Sequence, residues 1–425
     1  MNTLMTLWYY WRARQLHFTN RQQLEHYQQR QLQRFCRQVL AKSPYFKPVS
    51  ALPLTEWPLM DKAVMMDNFN RMNTAGLNVD ELLACAQRSE TERDFTPKVG
   101  RYSVGLSTGT SGRRGVFVVS EREQQHWAGM MLAKMLPESI FAGERIALFL
   151  RADNNLYQTV NNRWLSLTFF DLFSPFAEHL PRLQQLQPTI VVGPAQVLCA
   201  LAQAVQCGQL NLRVKKVISG AEVLEPQDKL LLQQVFADVG EVYQATEGFL
   251  AASCQYDTLH LNEEFIYVEP QWLDEERFVP LITDFSRTTQ PIVRYRLDDI
   301  LVARQKPCRC GKVTMALDRI EGRCDDQLAL PARDGSVQRV FADLCRRVIA
   351  NALPAVADYR FIQRGNQLQL LGDCDLPVLE NCRQQLIDLF QKHDIALEKI
   401  HWQVQSTPIL PQFDAKRRRI VRMRT

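Results

Sequence analysis

Short apolar runs alternate with helical segments through the middle of this chain of 425 residues, and this alternation constrains the fold more than any other feature. The runs are rich in Val and Ile, as in strands buried on both faces of a sheet. The strand-like runs are 145–150, 189–193, 214–220 and 241–246, and the helical segments between them are 195–205 and 226–239. Strands joined through helices pair in parallel with right-handed crossovers, so the sequence predicts an α/β fold.

The two ends of the chain have patterns of their own. Residues 1–90 are mainly helical, and the Gln-, Arg- and Leu-rich stretch 20–42 contains no Pro or Gly before Ser43-Pro44 ends the helix. Beyond residue 326 the pattern is that of a small α+β unit. Its predicted elements are a helix near 338–352, β runs on either side of Gly365-Asn366, a helix at 377–392 and a strand at 399–405.

The net charge of +5 is concentrated in one short segment. Residues 416–425 hold one Lys and five Arg and no acid, so the rest of the chain carries a net charge of −1. Nucleic-acid binding requires a wider basic face, and we predict no nucleic-acid partner. No run approaches the roughly 18–20 apolar residues of a membrane span, and the aromatic N-terminus lacks the pattern of a signal peptide.

Eleven cysteines are scattered along the chain without the spacing of a disulfide scaffold. This pattern is typical of a reducing compartment with free thiols or a metal site, so we expect a cytoplasmic protein. The sequence does not indicate an oligomeric state.

Four of the 18 glycines lie between Gly105 and Gly115, in VGLSTGTSGRRGVFVVS. A loop of Gly, Ser and Thr presents backbone N–H groups and hydroxyls to an anion, and Arg113 and Arg114 add charge for phosphate. The stretch matches neither G-x-x-x-x-G-K-[ST] nor G-x-G-x-x-G. By itself it predicts either a phosphate-binding loop or a flexible surface turn.

Six short motifs follow one another along the chain, namely STGTSGRRG (107–115), SGAE (219–222), YQATEG (243–248), VRYRLDD (293–299), GRCDD (322–326) and LPQFDAKRRR (410–419). In this order and spacing they resemble the signatures of the adenylate-forming (ANL) superfamily of acyl- and aryl-CoA ligases, adenylation domains and firefly luciferase. The N-terminal helix ending in SPYF, the SGAE segment and the CRCG segment most resemble the phenylacetate–CoA ligase branch, which includes synthetases of the coenzyme F420 type.

The resemblance implies two domains and a two-step reaction. A large layered α/β domain over 1–324 would be followed by a small mobile α+β domain over 325–425, with Asp325 as the hinge. A carboxylate would attack the α-phosphate of Mg-ATP to give acyl-AMP and pyrophosphate. A thiol, from CoA or from the phosphopantetheine of an acyl or peptidyl carrier protein, would then displace AMP.

The resemblance also assigns residues to the nucleotide and its metal. Glu247 would bind Mg²⁺, a hard cation that suits a carboxylate. Asp299 would bind the ribose hydroxyls, and Asp298 stands where the family usually has Gly, so the two carboxylates share the assignment. The residues implied to contact the phosphates are Ser107, Thr108, Gly109, Thr110, Ser111, Gly112 and Arg113, and the other nucleotide contacts are Gly220, Ala221, Glu222, Tyr243, Thr246, Asp299 and Arg323.

The resemblance implies a catalytic role for the basic tail, residues 416–425. Lys416 matches the Lys that stabilises charge on the α-phosphate and on the departing pyrophosphate, and Arg419 matches the Arg of the same motif. Ala415 replaces the usual Gly. Arg417, Arg418, Arg422 and Arg424 exceed what adenylation requires, and docking of an acidic carrier protein is one use for them. A basic tail for nucleic acid or membranes is the alternative for the whole segment.

Three cysteines and one histidine have a spacing that suits a metal. Cys254 and His260 follow the TEG motif, and Cys308 and Cys310 come some fifty residues later. Three thiolates and one imidazole suit a closed tetrahedral zinc site, and similar residues bind zinc in some relatives of the phenylacetate–CoA ligase branch. Unrelated cysteines near a surface histidine are the alternative.

The resemblance leaves three interpretations of function open. The first is an acid–thiol ligase acting on an aryl or acyl carboxylic acid. The second is an adenylating synthetase that makes a non-thioester conjugate. The third is a nucleotide-binding relative without turnover, which the departures at 113–115, Asp298 and Ala415 keep open. Phe169, Phe170 and Phe173 lie where the family builds its acyl pocket, although aromatic residues in a strand are also typical of a core.

Overall fold

A computed structural model describes residues 3–92, 96–106, 115–151, 161, 164–323, 326–354, 357–414 and 416–423. The chain forms two compact units. The first comprises Met1–Leu224, Leu231–Leu297 and Val302–Arg319, and the second comprises Glu225–Leu230, Asp298–Leu301 and Ile320–Thr425. The expected division into domains at 324/325 stays a prediction.

Side-chain caps mark the beginning of some of the helices. The Asn20 side chain accepts a hydrogen bond from the Gln23 N–H at 2.9 Å, and Ser120 and Glu123 form a reciprocal capping box. The helices are α1 Thr3–Gln15, α2 Arg21–Gln38, α3 Lys62–Met72, α4 Val79–Glu92, α5 Glu121–Met135, α6 Phe176–Leu186, α7 Ala195–Gln206, α8 Pro226–Val235, α9 Ala342–Ala352 and α10 Leu376–Lys392. No helix of the described ranges is both long and apolar enough to cross a membrane.

The strands are numbered in chain order, and β10 ends at residue 261. Those up to β10 are β1 Lys98–Val99, β2 Tyr102–Leu106, β3 Val116–Val119, β4 Glu144–Leu150, β5 Leu165–Asp171, β6 Ile190–Gly193, β7 Lys216–Ser219, β8 Val239–Ala245, β9 Gly248–Ser253 and β10 Leu259–Leu261. Those after it are β11 Ile266–Trp272, β12 Arg277–Asp284, β13 Ile292–Arg296, β14 Asp299–Ala303, β15 Ala316–Arg323, β16 Leu328–Pro331, β17 Val337–Val340, β18 Tyr359–Arg364, β19 Gln367–Gly372, β20 His401–Ser406 and β21 Ile420–Met423.

A sheet of twelve strands in the described residues dominates the fold, in the order β11-β12-β14-β15-β10-β9-β8-β7-β6-β4-β5 with β13 beside β12. The strands β5, β4, β6, β7 and β8 pair in parallel. From β8 onward the pairs β8–β9, β9–β10 and β10–β15 are antiparallel. The predicted α/β class with parallel pairs is therefore confirmed.

Apolar side chains of the parallel strands form the main core with α5 and α1. Ile146, Leu148 and Ile190 of the sheet join Ala128 and Leu132 of α5 in this cluster. A smaller cluster lies between α4 and the sheet β1-β2-β3, which is antiparallel. Burial on both faces explains why β6 is apolar along its whole length.

The second unit has a core of its own. Its sheet has the order β20-β19-β18-β21, and Phe361, Leu370 and Ile420 from it pack with Leu386 and Phe390 of α10. The hairpin β16–β17 pairs Leu328 with Val340 and covers one end of this core.

Two predicted helices are shorter in the structure. The predicted helix 226–239 ends at Val235, since β8 begins at Val239. The predicted helix near 338–352 begins only at Ala342, because Val337–Val340 forms β17. Val239 belongs to β8 rather than to the end of the first helix, and residues 338–340 belong to β17 rather than to the start of the second.

Candidate active site

Motif residues of the first unit collect at one edge of the parallel sheet. Arg151 directly follows β4, the SGAE turn follows β7, and Thr246 and Glu247 follow β8. Parallel strands bring their carboxyl ends to the same edge, where open α/β sheets bind their ligands. The fold therefore brings together motifs that are up to a hundred residues apart in sequence.

The SGAE turn is fixed by buried polar contacts. The Glu222 carboxylate accepts hydrogen bonds from Arg151 Nη2 at 2.8 Å and from Gln196 Nε2 at 2.9 Å, and its side chain is only 2% exposed. Ala221 has a φ of +65°, a conformation that is costly for a residue with a Cβ. A Cβ on Gly220 would lie 2.9 Å from Val242 Cγ2, so this position accepts no larger residue without movement.

The TEG turn connects β8 to β9 and carries Thr246 and Glu247, both half-buried. Arg287 Nη1 donates a hydrogen bond to the Thr246 carbonyl at 3.2 Å. Asp284 lies against the next residue of the turn, since a Cβ on Gly248 would be 2.9 Å from Asp284 Oδ2. Sequence reasoning missed Arg287 and Asp284, whose only signal was a polar segment directly after an apolar strand.

Two buried carboxylates, Glu123 and Asp284, lie near the single guanidinium of Arg287 beside the TEG turn. Glu123 accepts hydrogen bonds from the backbone N–H groups of Thr288 at 2.6 Å and Thr289 at 2.9 Å. Burial alone would raise the pKa of Glu123, but Arg287 and these donors outweigh it, and the pKa is lowered. Burial raises the pKa of Asp284, despite the opposing charge of Arg287. One guanidinium thus faces two buried carboxylates.

Three predicted nucleotide contacts belong to the second unit. Arg323 Nη2 donates to Asp298 Oδ2 at 3.0 Å, and the Arg323 N–H donates to Asp326 Oδ2 at 3.3 Å. Asp299 begins β14 and is half-buried. The carboxylate paired with Arg323 is therefore that of Asp298, and the predicted ribose contact of Asp299 stays a prediction.

Arg419 lies in a buried cluster of carboxylates within the second unit and is only 4% exposed. It donates to Glu225 Oε2 at 2.6 Å, to Asp358 Oδ1 at 2.7 Å and to Asp228 Oδ1 at 3.2 Å. Burial alone would lower the pKa of Arg419, but the three carboxylates outweigh it, and the pKa is raised. The guanidinium carbon also lies 5.4 Å from the centre of the Tyr359 ring.

The neighbours of Arg419 are paired as well. Arg417 forms an ion pair with Asp228, and Arg418 forms one with Asp326. Lys416, the predicted catalytic lysine, is exposed at the start of this segment. Two of the arginines that exceed what adenylation requires, Arg417 and Arg418, thus pair with acids of their own unit.

Part of the predicted site lies outside the described residues. Its members there are Ser107, Thr108, Gly109, Thr110, Ser111, Gly112 and Arg113 of the phosphate loop, with Arg114, and the hinge residue Asp325. Their roles stay predictions.

The four proposed metal ligands come together in the first unit. The ligand atoms of Cys254, His260, Cys308 and Cys310 all lie within 4.8 Å of one another. The Sγ atoms of Cys254 and Cys308 are 3.7 Å apart, and Cys310 Sγ is 3.3 Å from His260 Nε2. His260 Nδ1 is 3.2 Å from the Thr314 carbonyl. A proton donated there leaves the Nε2 lone pair facing the thiols, which is the orientation of a metal-binding imidazole.

Comparisons with known proteins agree with this fold. No protein-family model matches the sequence. Indoleacetate–lysine synthetase from Pseudomonas savastanoi is 21% identical over 236 residues, which cover 51% of this chain and 58% of that protein. The match thus spans less than two thirds of the synthetase.

Solved structures match over most of the chain. A crystal structure of 2-hydroxyisobutyryl-CoA ligase with 2-HIB-AMP has a TM-score of 0.68 at 15% identity, covering 93% of this chain and 88% of that one. The GH3.15 acyl acid amido synthetase has a TM-score of 0.59 at 11% identity, covering 91% and 86%. The chain therefore has the fold of the adenylate-forming ligases, and the resemblance seen in the sequence is confirmed at the level of the fold.

Proposed function

We propose that this protein is an AMP-forming ligase that activates an aryl or acyl carboxylic acid with ATP. The observation that carries the proposal is the shared edge of the parallel sheet, where the SGAE turn, the TEG turn and Arg151 follow neighbouring strands. The similarity to ligases and synthetases with this fold supports the same reaction.

The first step joins the acid to the nucleotide. A carboxylate oxygen attacks the α-phosphorus of ATP, the bond to the pyrophosphate breaks, and pyrophosphate leaves with its electron pair. Such a reaction depends on positioning and on the neutralisation of charge. In our proposal the 107–113 loop grips the phosphates, Thr246 and Tyr243 contact the nucleotide, and Asp299 and Arg323 hold the ribose side.

Glu247 is the proposed protein ligand of Mg²⁺. Its half-buried position at a strand turn suits a cation that takes one or two carboxylates and completes its shell with water and phosphate oxygens. When bound, Mg²⁺ would neutralise charge on the triphosphate. The Arg287 contact to the Thr246 carbonyl holds this turn in place.

In our proposal Lys416 supplies the positive charge that stabilises the α-phosphate and the departing pyrophosphate, whereas Arg419 acts as a positioning residue. An exposed lysine on a flexible stem carries a compact point charge that suits a phosphate. Arg419 is too deeply buried among carboxylates to contact a substrate without breaking three ion pairs. We infer that it anchors the segment that begins at Lys416.

Pyrophosphate exchange tests the proposal directly. Wild-type protein should exchange labelled pyrophosphate into ATP when given one or more members of a panel of aryl and fatty acids. Lys416→Ala should lower the exchange rate by about 100-fold or more, since it removes charge stabilisation from the transition state. The matched control is Lys399→Ala, an exposed lysine of the same unit that should behave as wild type. Exchange by Lys416→Ala at the wild-type rate would disprove the assignment.

The acceptor of the acyl group has two candidates. A thiol would attack the acyl carbon and release AMP, leaving a thioester of CoA or of a carrier-protein phosphopantetheine. An amine acceptor is favoured by the similarity to an indoleacetate–lysine synthetase and to an acyl acid amido synthetase. Incubation of the activated acid with CoA, a phosphopantetheinylated carrier protein or free lysine separates the two by the mass of the product. A thioester alone would exclude the amide reaction.

We also propose that Cys254, His260, Cys308 and Cys310 bind a structural zinc ion. Four N and S ligands close a tetrahedral site and leave no position for a substrate. The ligands connect the β9–β10 hairpin to the loop before β15, so the ion would stabilise this end of the sheet.

A further inference from the structure

The helix α1 carries apolar side chains on both of its faces. Tyr9 and Tyr10 are buried, at 6% and 1% exposure, on the face that packs on the protein. On the opposite face Leu4, Trp8 and Trp11 are 73%, 49% and 51% exposed. A helix that is apolar all round is normally buried on all sides, so the exposed stripe Leu4–Trp8–Trp11 marks an interaction surface.

The fold holds this stripe outward. Gly129 of α5 lets α1 approach closely, because a Cβ there would lie 2.5 Å from Tyr9 Cβ and 2.8 Å from the Tyr10 nitrogen. The Tyr10 hydroxyl accepts hydrogen bonds from Arg14 Nη1 at 2.7 Å and from the Ile140 N–H at 3.2 Å. The helix therefore cannot rotate to bury its two tryptophans in this unit.

Arginines flank the stripe on both sides. At about 100° per residue, Arg12 falls beside Trp8 and Arg14 falls on the other side of Trp11. The Arg12 guanidinium lies 5.3 Å from the centre of the Trp8 ring. No acidic residue precedes Glu25 in the sequence. Both indole rings of the stripe are about half exposed.

We propose that α1 docks this protein on the surface of an anionic lipid bilayer. Tryptophan and leucine insert at the level of the headgroups, where indole N–H groups find acceptors, while arginines bind anionic lipid. A helix of this length would lie along the surface over about 20 Å. A stable protein interface uses roughly 20–30 residues a side, far more than the three of this stripe, so a lipid surface fits better than a protein partner.

Vesicle co-sedimentation tests the docking. The full chain should bind vesicles of phosphatidylglycerol and phosphatidylcholine, and its binding to pure phosphatidylcholine should be weaker by about tenfold or more because the basic contribution is lost. The double variant Trp8→Gln/Trp11→Gln should lose about tenfold or more of its affinity for the anionic vesicles, since two large apolar side chains no longer insert.

The control is the double variant Trp272→Gln/Leu273→Gln, whose two residues are 50% and 48% exposed elsewhere in the first unit and should not affect binding. Brominated phosphatidylglycerol should quench part of the tryptophan fluorescence of the unaltered protein, a measurement that needs no variant. No binding, equal binding to neutral vesicles, no quenching, or full binding by Trp8→Gln/Trp11→Gln would each overturn the proposal. A dimer that this variant dissolves, without vesicle binding, would assign the stripe to a second copy of the chain instead.

Discussion

Arg419 illustrates how burial decides what a charged residue can do. Its motif resembles that of a catalytic tail, yet three carboxylates surround its guanidinium within hydrogen-bonding distance. A buried ion pair contributes little net stability when intact, but the loss of one partner leaves the others uncompensated. The physical expectation is therefore a structural effect from its substitution.

Arg419→Gln should lower the free energy of unfolding by about 3–5 kcal/mol, because Glu225, Asp228 and Asp358 would lose their common partner. Urea denaturation followed by circular dichroism measures the change. Arg333→Gln, at an exposed arginine of the same unit, should change it by less than about 0.5 kcal/mol. Wild-type stability of Arg419→Gln together with loss of pyrophosphate exchange would return Arg419 to a direct role at the nucleotide.

Single residues also mark the limit of what the sequence could predict. The motifs around Glu222, Glu247 and Lys416 were recognisable because their order and spacing are local properties. Arg287 donates a hydrogen bond to the Thr246 carbonyl from 41 positions away along the chain, and a local sequence pattern cannot predict such a contact. The pairing of Asp298 with Arg323 likewise depends on where two strands end in the folded unit.

At the scale of elements, burial determined which predictions succeeded. The strands β4, β6, β7 and β8 are predictable because most of their residues are buried and each contains a short run rich in Val, Ile, Leu or aromatic residues. Val337–Val340 has three exposed residues and only one buried one, so its pattern gave no strand signal, and its pairing with β16 decided the outcome. An antiparallel strand with one face exposed to solvent is harder to distinguish from a loop by its sequence than a parallel strand that is buried on both faces.

The proposed zinc ion is a property of two elements, the β9–β10 hairpin and the loop before β15. Purified protein should contain about one zinc per chain, and Cys310→Ser should lose it and unfold at a lower temperature, since a structural metal contributes folding energy. Cys207→Ser, at an exposed cysteine after α7, should keep both the zinc and the melting temperature. Metal analysis after chelator treatment and repurification checks this, and the absence of stoichiometric zinc would refute the site.

At the scale of the whole molecule, the class of fold was predictable and the arrangement of charge was not. The alternation of strand and helix is written in the local sequence, whereas the acids that neutralise the basic tail are dispersed over positions 225–358. The tail therefore looked like a free basic segment in sequence, although its arginines 417–419 are all paired. The net charge can be counted from the sequence, whereas the ion pairs form between residues that only the fold brings together.

The pair Glu123 and Asp284 gives the stability of the molecule two opposite dependences on pH. The lowered pKa of Glu123 contributes stability above its unfolded value of about 4.5, and this is lost as the pH falls through the folded value. The raised pKa of Asp284 contributes stability at low pH that is lost as the pH rises above its unfolded value of about 3.8. The two shifts differ in direction because the charge of Arg287 and the hydrogen-bond donors outweigh burial at Glu123, whereas burial outweighs Arg287 at Asp284.

Glu123→Gln and Asp284→Asn should therefore change stability with opposite slopes. As the pH rises towards about 4.5, the stability of Glu123→Gln relative to the wild type should fall, because the wild-type carboxylate ionises and gains the charge of Arg287 and its hydrogen-bond donors. As the pH rises above about 3.8, that of Asp284→Asn should rise, because the wild type must keep a buried acid protonated or ionise it at a cost. Urea midpoints measured from about pH 3 to about pH 8 for the three proteins give the two slopes. Slopes of the same sign would mean that the charge of Arg287 outweighs burial at both acids or at neither.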